Sequence, residues 1–179
     1  MRAIKTSVIS ILAVGLLAGS AVGVAAQDGE AAAGATSFTG TGTWVDAISE
    51  GTTSVAPNGL EETTGFVSLV RFDSSDPRLT GDVAVTSNWL IDASEGVSML
   101  LAGTYVLAND GGSWFGETTG FNSAELGVNT STAILVGQDG YEGLTAYVLF
   151  NGNQDFGSEF SGVIFPSAMP EVPEPYAAE

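Results

Sequence analysis

The reactive side chains of this chain are almost all carboxylates. It holds 21 Asp and Glu against four Lys and Arg, with no histidine and no cysteine. These absences exclude a Ser-His-Asp triad, a thiolate nucleophile and an ordinary zinc site. Lysine occurs only at Lys5, in the leader described below, so a Schiff base or a phosphate-binding lysine loop is excluded from the rest. Carboxylates, Tyr, Ser, Thr and Arg remain for catalysis. Glu117 is the candidate acid or base, because it shares a strand face with Phe115, Thr119 and Phe121. Turned toward a dry interior, that face would raise its pKa by desolvation. Turned outward, it makes Glu117 an ordinary surface acid, which is the simpler expectation.

Asp73, Asp76 and Asp82 bracket an Asp-Pro turn and are the candidate calcium ligands, with backbone carbonyls completing the shell. The competing reading is turn chemistry, in which each Asp accepts hydrogen bonds from nearby backbone N–H groups. Asn151, Asn153, Asp155 and Glu159 alternate like a calcium loop, but Gly157 falls one place late and a closing Glu is absent. Arg71, which ends a strand carrying Val67 and Leu69, would hold a ligand carboxylate through its planar fork or pair with a neighbouring acid. Trp44, Trp89 and Trp114 lie on three different strands, and converging aromatics make a platform for an apolar ligand or a packed core. With Tyr105 and Arg71 they form the candidate ligand-binding set.

These residues must be positioned by strands. Residues 1–26 read as a signal peptide. Arg2 and Lys5 form a basic start, an uncharged apolar stretch runs from Val8 to Ala25, and Val24-Ala25-Ala26 suits cleavage before Gln27. Glycines 15, 19 and 23 dilute that stretch, which disfavours a permanent anchor. Removal would leave Arg71 and Arg78 as the cations against all 21 acids, a net charge of −19. Such a polyanion is repelled by nucleic acid and by anionic lipid, so neither nucleic acid nor membrane insertion after cleavage is expected. Residues 27–36 read as a flexible leader, 37–166 as the folded domain, and 167–179 as a Pro-rich acidic tail.

From Ser37 the pattern has period two. Phe38, Gly40, Gly42 and Trp44 alternate with threonines, and Val83, Val85, Ser87, Trp89 and Ile91 share one face opposite Asp82, Thr86 and Asn88. Further strands are expected near 64–72, 97–107, 113–121, 130–136, 141–150 and 159–165. The segment 49–62 reads as a long loop, while Asn109-Asp110-Gly111-Gly112 and Gln138-Asp139-Gly140 read as hairpin turns. The fold class is therefore all-β: a single antiparallel meander of about eight strands closing into a barrel, because closure removes exposed edges. A β-sandwich is the alternative. Glu62-Thr63-Thr64-Gly65-Phe66 recurs as Glu117-Thr118-Thr119-Gly120-Phe121, by old duplication or by coincidence.

Four segments carry a resemblance: Ser75-Asp76-Pro77-Arg78-Leu79-Thr80-Gly81, Asn109-Asp110-Gly111-Gly112-Ser113-Trp114, Gly140-Tyr141-Glu142-Gly143-Leu144-Thr145-Ala146, and Gly162-Val163-Ile164-Phe165-Pro166. Over about residues 75–166 they resemble a group of secreted, uncharacterised bacterial proteins. The Gly-x-Tyr-x-Gly opening more distantly resembles the eight-stranded barrels of the allene oxide cyclase and dirigent type. That resemblance implies a lumen for an apolar small molecule, and no catalytic residue of that family finds a match in this chain.

Three functions follow as expectations. The leading one is an exported, non-enzymatic barrel that binds a small apolar or amphipathic ligand or serves as an envelope interaction module. The second is a cofactor-free isomerase or cyclase, which needs an enclosed cavity and an inward acid such as Glu117. The third is a structural or adhesive domain stabilised by Ca2+, the one cofactor considered. Oligomeric state stays open.

Overall fold

The computed structural model describes residues 34–92, 98–123, 125, 127–152 and 157–174. The signal peptide, most of the leader, Asn153 and Asp155 of the calcium-loop reading, and the last five residues of the tail lie outside them. The described residues form nine strands: β1 (Thr36–Ser49), β2 (Thr52–Val55), β3 (Glu61–Ser74), β4 (Gly81–Asp92), β5 (Ser98–Asn109), β6 (Gly112–Ser123), β7 (Val128–Gln138), β8 (Thr145–Gly152) and β9 (Gly157–Phe165). Single turns of 3-10 helix at Pro77–Leu79 and Asp139–Tyr141 join β3 to β4 and β7 to β8. Described residues 166–174 are exposed and carry no strand or helix.

Every strand pairing is antiparallel, and the order β1-β9-β8-β7-β6-β5-β4-β3 closes through a β1–β3 pairing into an eight-stranded barrel. The long first strand makes closure possible. Its residues 36–43 pair with β9 and its residues 40–49 pair with β3. Register shifts at Trp44/Asp46 and Ala47/Ser49 leave Val45 and Ile48 as the extra residues, and such bulges bend a strand and increase its twist. A further bulge interrupts β3 between Thr63 and Phe66, where Gly65 takes φ +70° and donates its N–H to Asn88 Oδ1 at 2.8 Å. Gly120, in the matching pentapeptide, sits in unbroken β5–β6 and β6–β7 ladders, so the repeated residues do not share a backbone conformation.

The expected loop over 49–62 is corrected by β2, which hairpins onto β3 outside the barrel from Thr52↔Thr64 to Val55↔Glu61. All four of its residues are exposed, so no hydrophobic alternation marked it in the sequence.

Inside, Phe38, Phe72, Phe150, Phe160, Leu107, Leu135, Val83, Val148 and Ile164 form a continuous core. Phe72 and Phe160 approach to 4.7 Å between ring centroids, and Phe150 lies 5.7 Å from Phe72. Two inward glycines make room for this packing. Phe38 is the register partner of Gly162 and Phe160 that of Gly40, and each ring covers the glycine opposite it, so a Cβ at either position would collide with the ring. Aromatic rings over cross-strand glycines replace the missing side-chain contacts and let the sheet curl.

Candidate functional site

The two ends of the barrel are built differently. At one end, the 3-10 turns fold inward and close it. Trp114 is completely buried, stacks on Tyr141 at 5.3 Å, and donates its indole N–H to the Arg78 carbonyl at 2.8 Å. Tyr141 donates its hydroxyl to Asn109 Oδ1 at 2.6 Å, and the Asn109 amide donates to the carbonyls of Arg78 at 3.2 Å and Thr80 at 3.0 Å. Asp76 caps the first turn. Its carboxylate accepts from the Arg78 backbone N–H at 3.0 Å and from the guanidinium at 2.9 and 2.6 Å. The hydrogen bonds from Arg78 hold the Asp76 carboxyl below its ordinary pKa against the opposing effect of burial, and Asp76 in turn raises that of Arg78.

At the opposite end the core stops short, leaving a recess of about 340 Å³ lined by residues from all eight barrel strands. Alternation positions its walls. Trp44 on β1, Phe66 on β3 and Trp89 on β4 follow one another around the rim, with centroid separations of 6.0 and 4.8 Å. Met99 and Leu101 of β5 continue the apolar wall, and Phe72, Phe150 and Tyr105 line it from the core side. Polar groups enter from Ser68, Ser87, Asn122, Asn129 and Ser158. Among the described residues, none that lines it carries a charge.

Tyr105 stacks on Phe150 at 5.6 Å with the rings nearly parallel. Its ring is partly open to the recess, but its hydroxyl is surrounded by protein. Burial pushes its pKa up to about 12, against the opposing effect of a hydrogen bond with Thr118. It is therefore a neutral phenol in all ordinary conditions.

The structure thus brings Trp44, Trp89 and Tyr105 together at one recess and separates the other candidates from it. Trp114 belongs to the closed end, so its assignment to the ligand site is corrected: its strand starts there, and the indole plugs the barrel. Arg71 is likewise corrected to the outer face, where Nη1 lies 3.0 Å from Asp82 and Nε 3.9 Å from Asp73. Of the candidate calcium ligands, Asp76 is engaged by Arg78, and Asp82 and Asp73 lie beside Arg71. Among the described residues, no group of three His, Cys, Asp or Glu could hold a metal ion. Glu117 points outward. It lines an external groove of about 400 Å³ with Phe115, Ile134 and Val136, walled by β6 and β7 alone.

Sequence reasoning missed Phe66, Ser68 and Ser87 as site residues. Ser87 shares its face with Trp89 and Val85, and that alternation was the available signal. Phe66 and Ser68 follow the β3 bulge, which shifts the alternation by backbone geometry alone.

The chain is thus an eight-stranded antiparallel meander barrel, plugged at one end and recessed at the other. No protein-family model, curated protein or solved structure matches it.

Proposed function

We propose that this protein is an exported, non-enzymatic barrel that holds a small apolar or amphipathic molecule in the recess at its open end. The observation that carries the reading is the recess itself: about 340 Å³, walled by aromatic and aliphatic side chains from eight strands, with a few polar groups among them. Ligand sites have this composition, and their volumes start near 300 Å³. No carboxylate lines the recess among the described residues, and Glu117 lies on the outer face, which favours binding over cyclase chemistry. The basic, apolar and small-residue sequence of the leader supports export. On the outer faces of β1, β3 and β4, Thr39, Thr41, Thr43, Arg71, Asp73 and Asp82 oppose burial in a lipid hydrocarbon layer.

Titration with the hydrocarbon dye diphenylhexatriene tests the reading. Saturable binding at one site, with dye emission sensitised by the rim tryptophans, is the expected result. Emission that rises without saturation, or stays at its level in buffer, would refute it.

A further inference from the structure

Ser68 and Ser87 stand out within the recess. Each residue is only 5% exposed, each lies on the inward face of its strand, and both line the recess. They sit on neighbouring strands, since Ser68 pairs with Val85 and Phe66 with Ser87. Two other buried hydroxyls of the barrel are bonded, Thr118 donating to the Thr132 carbonyl at 2.9 Å and Thr63 bonding Thr53 at 2.8 Å, whereas Thr145 Oγ1, which does not line the recess, is buried without a partner. Neither Ser68 nor Ser87 forms a side-chain hydrogen bond with another described residue. Neither oxygen is among the sealed, unpartnered ones of the described residues, so both hydroxyls open on the recess, where water or a polar group of a ligand can bond them within an otherwise apolar wall.

The charge of that group is also constrained. Among the described residues the cations are Arg71 and Arg78, and both are held by aspartates away from the recess. A carboxylate in the recess would meet no cation, inside a protein of net charge −17. An ammonium would meet no acid among the described lining residues.

Resting on the binding function proposed above, we infer that the ligand is an uncharged amphipathic molecule. Its hydroxyl or carbonyl is received by Ser68 and Ser87, and its hydrocarbon part lies along Trp44, Phe66 and Trp89. The two hydroxyls offer both donor and acceptor capacity, which suits an alcohol or a ketone.

Displacement of diphenylhexatriene from the full chain by decanol, decanoate and decyltrimethylammonium, at about pH 8 where the carboxylate is ionised, tests the class. Decanol is expected to compete best. Partition alone favours the alcohol over either ion, so the serines carry the decision. In Ser68→Ala/Ser87→Ala, decanol affinity should fall about tenfold relative to that of the dye measured in the same variant, because the dye has no polar atom to lose. Ser87→Ala alone should lose part of that and guards against a misfolded double variant. Decanol binding unchanged in both variants, or either ion competing as well as decanol, would overturn the inference while leaving the binding function standing. Failure of the dye to bind the unaltered protein would remove both.

Discussion

The indole N–H of Trp114 donates to the backbone carbonyl of Arg78 across 2.8 Å, tying the start of strand β6 to the 3-10 turn that seals the barrel. Asn109 reaches the same carbonyl and two of its neighbours, and accepts from Tyr141 and the Gly111 N–H. One asparagine thereby joins three connections. Replacement by alanine leaves several of these groups unpaired, and the expected loss is about 2–3 kcal/mol in a denaturant titration. Affinity for diphenylhexatriene should hold in the same variant, since the recess lies at the other end.

The ion pair of the closed end makes stability depend on acid. Asp76 is held below its ordinary pKa by Arg78, so the folded state binds a proton less readily than the unfolded chain. Its contribution is complete above the unfolded value of about 3.9 and disappears as pH falls through the lower folded value. Melting temperature measured down through that window should fall less steeply in Asp76→Asn than in the unaltered protein. The variant itself should be less stable near neutrality by about 2 kcal/mol, the scale of hydrogen bonds to a charged group.

Tyr105 gives the converse dependence at the alkaline end. Its pKa is raised to about 12 in the fold, against about 10 for an unfolded tyrosine. Folding stability should therefore be intact below about pH 10 and decline as pH rises toward about 12, where the unfolded chain has already released its proton. The near-ultraviolet tyrosinate absorbance should show a late component that Tyr105→Phe abolishes. Its absence from the titration of the unaltered protein would contradict the packing described around the hydroxyl.

The three tryptophans divide by location, and this gives a direct assay. Trp44 and Trp89 line the recess, whereas Trp114 is sealed in the plug. Energy transfer to bound diphenylhexatriene should drop most in Trp44→Phe and Trp89→Phe. Truncation of either to alanine should weaken dye binding roughly tenfold, as expected for losing a large aromatic contact. Trp114→Phe should bind the dye normally and lose about 1–2 kcal/mol of stability with its hydrogen bond and some of its packing.

The strands were largely legible in the sequence because a half-buried strand writes its two faces into alternate residues. Val83 to Ile91 shows this most clearly, and all five alternating residues face inward. Recognising the closing seam was harder. It depends on bulges at Val45 and Ile48 whose side chains are exposed, so their hydropathy carries no trace of the bend. The short β2 was invisible for the same reason. Three of the four segments that carried the resemblance converge on the plug, and Asn109, Tyr141 and Trp114 within them take part in bonds between residues some thirty positions apart.

The sequence by itself determined the chemistry available: no histidine or cysteine, a large negative charge, and an alternation that makes sheet the cheapest way to bury the apolar residues. It also placed tryptophans on three strands, but a strand pattern carries no depth coordinate. Only tertiary structure decided that Trp44 and Trp89 would meet Phe66 at an open rim while Trp114 stopped the other end, and that Arg71 and Glu117 would face outward. Depth along a barrel depends on strand tilt and on the bulges that set the register across the seam. Those are properties of the closed sheet rather than of any one strand.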